Sequence, residues 1–318
     1  MRRRRFLAVG LGVAGCLAGC GTEQHPPGRA GMRGPYSILP GGERWRQVTR
    51  AFSKAMHKVG VPVATRGPAV RITVTGLPAL AAAELNNGHP LAETATPLAR
   101  LAGEVEVVLV PGDSRFKTFE DFGAHLRAKP GETPLAGGPQ GEPDHLLFGL
   151  IAKGVGADTR QVDYTGYPSS VEAGTALFGG RAAAAAGTLA DWRAHIERGR
   201  VRVLAVSCAK RFPGVDAPSL LESGVRVDFA NWCAAVGPAG MADDVRASAV
   251  RMCEEVTGST AWQQACRAGG WAPIPLAGEQ FEQWLASEVR RTQAVMRDLG
   301  LREAAGGTTC WGSCGHGH

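Results

Sequence analysis

Hydrophobic and polar positions predict strands and helices that alternate through most of the chain. Short apolar runs with strand periodicity lead, through turns or helix caps, into segments whose apolar residues recur at helical spacing. We predict strands at 36–39, 70–74, 104–110, 133–136, 161–164, 181–186, 201–206 and 232–236. We predict helices at 45–59, 80–85, 119–128, from 143 onward, 170–179, 189–199, just after 219, 242–256, 260–268 and 279–299.

Several of these helices are preceded by a Ser or Thr with an acidic residue three positions later, which is the capping-box pattern. The capping residues are Thr118, Ser169, Thr188 and Ser219. Repeated strand–helix units of this kind favour an α/β fold with a largely parallel sheet, in which ligands bind at the carboxyl ends of the strands.

A glycine-rich turn after the strand at 133–136 is the strongest candidate for a binding site. Gly137, Gly138 and Gly141 allow backbone amides to approach a ligand because no Cβ is present, and Pro143 suits the first position of a helix. Free N–H groups and the helix dipole favour an anion there. The turn lacks the Walker A and Gly-x-Gly-x-x-Gly patterns, so phosphate is poorly supported and a carboxylate remains open. An ordinary strand-to-helix turn is the alternative.

Residues 1–20 have the layout of an export signal. Arginines at positions 2–5 precede an apolar run at 6–17 that is too short to span a bilayer. Leu17-Ala18-Gly19-Cys20 resembles the lipobox of bacterial lipoproteins, which implies cleavage before Cys20 and diacylation of its sulfur. Arg3-Arg4-Arg5-Phe6-Leu7 resembles the twin-arginine export motif, with the general secretory route as the alternative. An uncleaved anchor is the other reading.

Composition and charge are typical of a globular protein and argue against a nucleic-acid partner. Of the 318 residues, 44% are hydrophobic, 20% charged and 6% aromatic. The net charge of +6 includes the four leader arginines; without them 31 basic residues face 29 acidic ones, a charge of about +2. We find no basic patch of the kind that binds nucleic acid.

Short pieces of sequence between 36 and 301 carry a family resemblance through their order and spacing. They are Pro40-Gly41-Gly42, Ala95-Thr96-Pro97-Leu98-Ala99-Arg100-Leu101, 107–111 with Lys117-Thr118-Phe119, Gly137-Gly138 with Pro143-Asp144-His145-Leu146-Leu147, Tyr164-Thr165-Gly166, Leu177-Phe178-Gly179-Gly180, 202–207, 214–218 and Asn231-Trp232. Together they resemble the extracytoplasmic solute-binding proteins of tripartite tricarboxylate transporters, the family that includes the Bordetella uptake-gene receptors.

The resemblance implies an α/β, two-domain periplasmic-binding-protein-like fold (type II) with the ligand in a cleft between the domains. With the order of the predicted elements, it places one domain at 34–108 plus 232–301 and the other at 109–231. A flexible tether at 21–33 precedes the domains, and a disordered tail at 302–318 follows them.

The family binds small carboxylates and delivers them to a membrane permease. The resemblance therefore implies a monomer anchored by its lipid on the outer face of the cytoplasmic membrane, with a tricarboxylate, dicarboxylate or similar ligand. Main-chain amides and hydroxyls hold the carboxylate in relatives, which avoids burying a permanent countercharge. Carried over to this sequence, the ligand-binding residues are Gly41, Gly42, Glu43, Gly137, Gly138, Pro139, Gln140, Gly141, Asp144, His145, Tyr164, Thr165 and Gly166.

This chain departs from the family pattern at three places. Trp45 stands where relatives usually carry Asp, the segment 61–75 looks shortened by about a helix, and Ala183 stands where another acidic residue is usual. One wall of the cleft is therefore expected to differ. A ligand-sensing lipoprotein that works with a membrane kinase, and a degenerate paralogue that binds no ligand, remain as alternative functions.

Cysteine and histidine residues leave several smaller questions open. Cys310, Cys314, His316 and His318 could hold one zinc ion, but the spacing matches no standard finger and a frayed terminus is the simpler reading. Cys253 and Cys266 lie on consecutive predicted helices and could form a disulfide or pack as reduced thiols.

We expect neither an enzyme nor a cofactor or metal site. The sequence contains no Gly-x-Ser-x-Gly, His-Glu-x-x-His or P-loop pattern. Asp144 and His145 cannot form a catalytic pair by adjacency, because neighbouring helix residues point apart. His145 follows the glycine turn and could either touch a bound anion or face solvent.

Overall fold

The computed structural model describes residues 34–89 and 91–302. The export signal, Cys20, the tether to residue 33 and the Cys/His tail lie outside the described residues. The strands are β1 (Tyr36–Pro40), β2 (Val70–Gly76), β3 (Ala95–Glu104), β4 (Glu106–Pro111), β5 (Leu135–Gly137), β6 (Tyr164–Gly166), β7 (Ala184–Thr188), β8 (Val201–Val206), β9 (Asn231–Pro238), β10 (Trp271–Ala272) and β11 (Leu276–Ala277).

The α-helices match most of the predicted helical segments. They are α1 (Arg46–Lys58), α2 (Leu77–Leu85), α3 (Leu91–Thr94), α4 (Phe119–Ala128), α5 (Pro143–Val155), α6 (Ser170–Phe178), α7 (Leu189–Glu197), α8 (Asp243–Gly258), α9 (Thr260–Gly269) and α10 (Gly278–Asp298). Short 3-10 turns occupy Glu43–Trp45, Pro130–Glu132 and Thr159–Gln161. No helix in the two described ranges is long and apolar enough to cross a membrane.

The strands form two mixed sheets, so the prediction of a largely parallel sheet was wrong. One sheet has the order β1-β2-β9-β3-β10, with β11 also paired to β3, and the other has the order β6-β5-β7-β4-β8. β9 runs antiparallel to both β2 and β3, and β4 runs antiparallel to both β7 and β8. The parallel pairs are β1 with β2 and β5 with β6 and β7. The strands that are antiparallel to neighbours on both sides, β3, β4 and β9, adjoin the points where the chain crosses between the sheets.

Around the crossings, one strand was predicted with the wrong bounds and another was not predicted. The run at 104–110 was predicted as one strand, but β3 ends at Glu104 and β4 begins in the other sheet at Glu106. β3 itself was not predicted, because Pro97 and register shifts on both sides of Arg100 disguise its alternation. We call the two connections between the sheets, around Val105 and Ala230, the crossing segments.

Two further predictions need correction. The strand predicted at 161–164 is a 3-10 turn followed by β6, so it was placed about three residues too early. Ser219 and Glu222 form both capping hydrogen bonds, at 3.1 and 2.8 Å, but a turn rather than a helix follows them. The two capping hydrogen bonds alone are therefore not sufficient to form a helix at this position.

The apolar core has three parts, and the largest is shared by the two sheets. It joins α2, α4, α5 and α10 to Val108 of one sheet and Trp232 of the other. Gly149 allows α5 to approach α10, because a Cβ there would lie 2.8 Å from side-chain carbons of Val295 and Leu299. The other two clusters lie on single sheets: one centres on Phe52 and Trp262, whose rings meet edge to face at 5.4 Å, and one surrounds Trp192.

All four cysteines in the described ranges are free thiols, so the possible pairing of Cys253 with Cys266 is absent. Both side chains are buried, and burial raises the pKa of each thiol to about 12. They pack as small apolar groups, as does Cys233.

Trp45, one of the departures from the family pattern, is a packing residue. Its side chain is only 3% exposed and belongs to the cluster around Phe52. The indole lies against Gly76, where an added Cβ would fall 2.6 Å from a ring carbon of Trp45 and would overlap the carbonyl oxygen of Trp232. Gly76 therefore allows β2, β9 and Trp45 to meet.

We expect Gly76→Ala to lower the free energy of unfolding by about 1–3 kcal/mol, because the added methyl group overlaps a carbonyl and a ring. Gly76 has an extended backbone, with φ −177°, so the cost comes from contact and not from strain. Gly42→Ala is the matched control, since Gly42 has φ 175° and nothing lies within 4 Å of its virtual Cβ. Urea denaturation midpoints equal for wild type and Gly76→Ala would contradict this packing.

Candidate functional site

The predicted glycine turn connects β5 to α5 and is held by hydrogen bonds from within the protein. Gly141 adopts the left-handed conformation, with φ 82°, which favours glycine, whereas Gly138 does not. The side chain of Glu142, the residue before α5, makes no capping hydrogen bond. In the described part of the chain, the first-turn N–H groups of Asp144 and His145 also have no partner, as expected at a helix N-terminus.

The protein's own Asp144 occupies one of the amides predicted to hold a ligand. Its Oδ2 accepts a hydrogen bond of 2.6 Å from the backbone N–H of Gly138. A carboxylate at this place gains a charge-assisted hydrogen bond and lies at the positive end of the α5 dipole. The turn is thus built to hold a carboxylate, and Asp144 supplies one.

Tyr164 and His145 hold the turn in place through hydrogen bonds to its backbone. The Tyr164 hydroxyl donates to the carbonyl of Gly138 at 2.5 Å, and its ring stacks on the imidazole of His145 with centroids 4.1 Å apart. Nδ1 of His145 accepts the N–H of Gly141 at 3.1 Å. His145 is buried, and burial lowers its pKa to about 4, so the imidazole is neutral near pH 7. It therefore does not face solvent, and its position explains how the loop is held.

The loop after β1 contributes a charged residue that the sequence did not single out. The N–H of Gly41 is bound to the carbonyl of Val74 at 2.7 Å, and Glu43 pairs outward with Arg46 at 2.6 Å. Arg44 instead reaches Glu104 at the end of β3, with Nε 2.9 Å from Oε2. Although burial lowers the pKa of Arg44, the charges of Glu104 and Glu106 raise it overall.

Glu104 and Glu106 bring two more carboxyl groups to this region. Glu104 also accepts a hydrogen bond from Nδ2 of Asn231 at 2.7 Å. Burial raises the pKa of Glu104, and Arg44 and Asn231 oppose this rise. Glu106 is completely buried, and no group in the described ranges donates to either of its carboxylate oxygens. Its backbone is held by Ser207, through bonds of 3.1 Å to the hydroxyl and 2.9 Å from the amide.

The neighbour of the Glu106 carboxyl is the carboxyl of Asp144, and the two share one charge. Burial, followed by the charge of Asp144, raises the pKa of Glu106 well above its ordinary value. Burial also raises the pKa of Asp144 to about 6, although the Gly138 hydrogen bond and Arg44 oppose the rise. Two ionised carboxylates in contact repel strongly, so a proton lies on Glu106 while Asp144 keeps its bond to Gly138.

The structure brings together most, but not all, of the predicted site residues. Gly137, Gly138, Gly141, Asp144, His145 and Tyr164 form one cluster, and Gly166 backs it closely, since a Cβ there would lie 3.0 Å from the oxygen of Gly138. Pro139, Gln140 and Thr165 are exposed at its edge. Gly41, Gly42 and Glu43 are exposed and connect to the cluster through the neighbouring Arg44.

Arg44, Glu104 and Glu106 were not predicted from the sequence. A signal was present, because Glu104 and Glu106 are acidic residues at alternate positions in an otherwise apolar run. In the described ranges, no three His, Cys, Asp or Glu side chains are arranged to hold a metal ion. The cluster is suited to binding and releasing a proton and to exchanging hydrogen bonds with an anion or a donor group.

We expect the stability of the protein to fall as pH rises from about 4.5 through the folded-state pKa of Glu106. In that window the unfolded chain has lost the Glu106 proton and the folded chain keeps it, so the unfolded state binds fewer protons. Glu106→Gln removes this dependence. Within the window, the free energy of unfolding of the variant should therefore rise relative to that of the wild type by about 1.4 kcal/mol per pH unit. Urea denaturation at a series of pH values measures the difference.

Glu132→Gln is the control for this experiment. Its carboxylate pairs with Lys129, which lowers the pKa of Glu132, so any pH dependence from this residue has the opposite sign. A constant difference in unfolding free energy between wild type and Glu106→Gln from pH 4.5 to pH 8 would refute the shared proton.

Comparison with known proteins gives a consistent family match. A family model described as the tripartite tricarboxylate transporter family receptor (TctC) matches residues 83–301. The chain is 29% identical over 208 residues to protein BugT of Bordetella pertussis and 26% identical over 207 residues to a UPF0065 protein of Cupriavidus necator. Each alignment covers 64% of this chain and 62% of the relative, so the chain spans about three fifths of the length of these relatives.

Solved structures share the fold at low sequence identity. A TctC solute-binding protein from Polaromonas has a TM-score of 0.68 at 17% identity, covering 83% of this chain and 98% of that one. MatC from Rhodopseudomonas palustris, solved with bound malate, has a TM-score of 0.60 at 15% identity, covering 83% and 99%. A second protein from R. palustris, solved with adipate, has a TM-score of 0.63 at 19% identity, covering 84% and 97%. The predicted α/β periplasmic-binding-protein-like fold is confirmed.

Proposed function

The chain belongs to the tripartite tricarboxylate transporter receptor family, and from this premise we propose that it is an extracytoplasmic solute-binding lipoprotein that captures a small carboxylate for a membrane permease. The family is one of receptors rather than enzymes, and fold relatives hold malate and adipate. The observation that carries the proposal is the turn before α5, where an amide already holds a carboxylate.

We place the ligand between the glycine turn and the loop at 41–44, in a cleft between two domains. The strand pairing supports this division, because β1–β3 and β9–β11 form one sheet and β4–β8 form the other. A boundary at Val105 follows the sheets better than one at 108, since β4 begins at Glu106. The second domain then runs to about residue 230, just before β9.

The ligand carboxylate must compete with Asp144 for the turn. The amides of Asp144 and His145 remain available to it, but the charge of Asp144 would lie beside it. Two unit charges about 4 Å apart repel by roughly 4 kcal/mol at an effective dielectric of 20. We therefore propose that the charge state of the Asp144–Glu106 pair decides how tightly a carboxylate binds.

A paralogue that binds no ligand is the second candidate, and one observation favours it. Asp144 satisfies the amide of Gly138 within the protein, so the turn needs no external anion to be complete. The calorimetric experiment below separates the two candidates directly.

We expect malate or adipate to bind the purified protein, and two substitutions to change the affinity in opposite directions. Asp144→Asn keeps an acceptor for Gly138 but removes the competing charge, so binding should tighten at least tenfold, by about 1.4 kcal/mol or more. Gly138→Asp adds a carboxylate at the turn and should weaken binding at least a hundredfold, by about 2.7 kcal/mol or more. Titration calorimetry of each variant measures the dissociation constants.

Gly138→Ala is the control for bulk, because Gly138 does not have positive φ and a Cβ there would lie 3.2 Å from Oδ2 of Asp144. Binding that is equally tight in folded Gly138→Asp and wild type would place the carboxylate elsewhere. If wild type and Asp144→Asn both fail to bind any di- or tricarboxylate or amino acid, the non-binding candidate is correct.

We expect Cys20→Ser to release the protein from membranes without unfolding it. The lipobox resemblance makes Cys20 the lipidated residue, and its substitution changes none of the residues that form the described sheets and helices. Fractionation after carbonate washing measures membrane association. Cys16→Ser, which changes a nearby leader cysteine, should stay with the membrane. Full retention of Cys20→Ser in the membrane fraction would reject lipidation at this cysteine.

A further inference from the structure

We propose that a second site, on the other side of the crossing segments from the glycine turn, binds a small oxyanion through Arg100. The site is a cavity of about 270 Å³ lined by Arg100, Val105, Trp232, Trp284, Glu288 and Arg291, among others. It does not rest on the proposed carboxylate site, and it shares none of that site's predicted residues.

The alternation of the chain at the first crossing separates the two sites. Glu104 and Glu106 direct their carboxyl groups to Arg44 and Asp144, whereas Val105 between them lines the cavity. Successive side chains of an extended segment point to opposite faces. The cavity therefore lies on the opposite side of the first crossing segment from the two acids.

Arg100 presents an unfilled set of donors to this cavity. Its Nε donates to the carbonyl of Ile274 at 2.6 Å, and its guanidinium lies over the ring of Trp284 at 4.1 Å. No carboxylate in the described ranges lies within ion-pair distance of Arg100, so its terminal N–H groups have no acidic partner. β3 pairs Arg100 with Ala234 on one side and Leu276 on the other, so its backbone position is fixed.

The local charge favours an anion over a cation. Glu288, which is 4% exposed, pairs with Arg291 at 2.7 Å, and that pair is neutral as a unit. The cavity is also lined by Asp228, which balances the charge of Arg100 in number but is exposed, so Arg100 has no direct ion-pair partner inside the cavity in the described ranges. Burial lowers the pKa of Arg100 to about 10, and the nearby charges of Glu288 and Asp228 only partly oppose this. A bound anion would supply the missing countercharge.

The chemistry of a guanidinium on an aromatic face defines the ligand class. Two terminal nitrogens in one plane match two oxygens of a carboxylate or sulfate group, and a lysine could not reproduce this geometry. The one guanidinium without a direct partner and the volume of the cavity favour a small oxyanion of low charge. The lining includes Val105 and Ala230, so a bound anion would contact both crossing segments.

The test uses the purified protein with sodium acetate and sodium sulfate, and sodium chloride at matched ionic strength as the blank. We expect saturable binding by titration calorimetry, with a rise in unfolding temperature that depends on anion concentration. Arg100→Gln should weaken binding at least tenfold, and Arg100→Lys should weaken it less. Glu288→Gln removes a nearby negative charge and should tighten binding several-fold.

The Asp144→Asn and Gly138→Asp variants are the controls, and both should leave this affinity unchanged. The acetate and sulfate arms distinguish a carboxylate from an inorganic oxyanion, and saturable binding of either one that weakens on substitution of Arg100 supports the site. If Arg100→Gln does not fold, the opposite effects of Arg100→Lys and Glu288→Gln decide the question. Absence of saturable binding of both anions, or binding that responds to Gly138→Asp and not to substitution of Arg100, would overturn the proposal while leaving the carboxylate receptor untouched.

Discussion

The contact between the carboxyl groups of Glu106 and Asp144 is the constraint on which the candidate site depends. Two ionised carboxylates cannot occupy a buried contact, so one of them must hold a proton. Asp144 has the Gly138 amide and the end of α5 to stabilise its charge, while Glu106 receives no hydrogen bond in the described ranges. The charge therefore stays on Asp144 and the proton on Glu106. The glycine turn therefore carries a negative charge on Asp144.

The same contact lies beside the first crossing between the two sheets. Glu106 is the first residue of β4, and Asp144 lies in the first turn of α5, whose outer face packs on α10. Arg44, from the loop after β1, feels the charges of both acids and bonds directly to Glu104. A change in the charge of the Glu106–Asp144 pair would therefore alter the electrostatic interactions of the loop after β1, the first crossing segment and α5 together. A ligand that alters that charge acts on all three.

Sequence patterns predicted the local parts of the structure well, because those parts depend on neighbouring residues. The helix at 119–128 has the predicted bounds and its capping box, and the turn at 137–143 leads into α5 as expected. The sequence could not predict that Asp144 folds back onto Gly138 or that Glu106 faces it, since these contacts depend on which sheet each strand joins. β3 escaped prediction because its register shifts interrupt the alternation. Trp45 departs from the family pattern in sequence, and the structure shows that it packs against Gly76.

Charged residues between positions 100 and 106 are compensated to different degrees, and this difference underlies the two ligand sites that we propose. Glu104 has both Arg44 and Asn231 as direct partners, which oppose the rise in its pKa that burial causes. Glu106 is compensated by a proton, and Arg100 by a carbonyl and an aromatic ring. Removing charge from water is costly unless a partner restores the lost interactions. Glu106 and Arg100 lie on opposite faces of the first crossing segment, one behind the glycine turn and one in a cavity. A proton on the first and a bound anion at the second would each supply the interaction that burial removes.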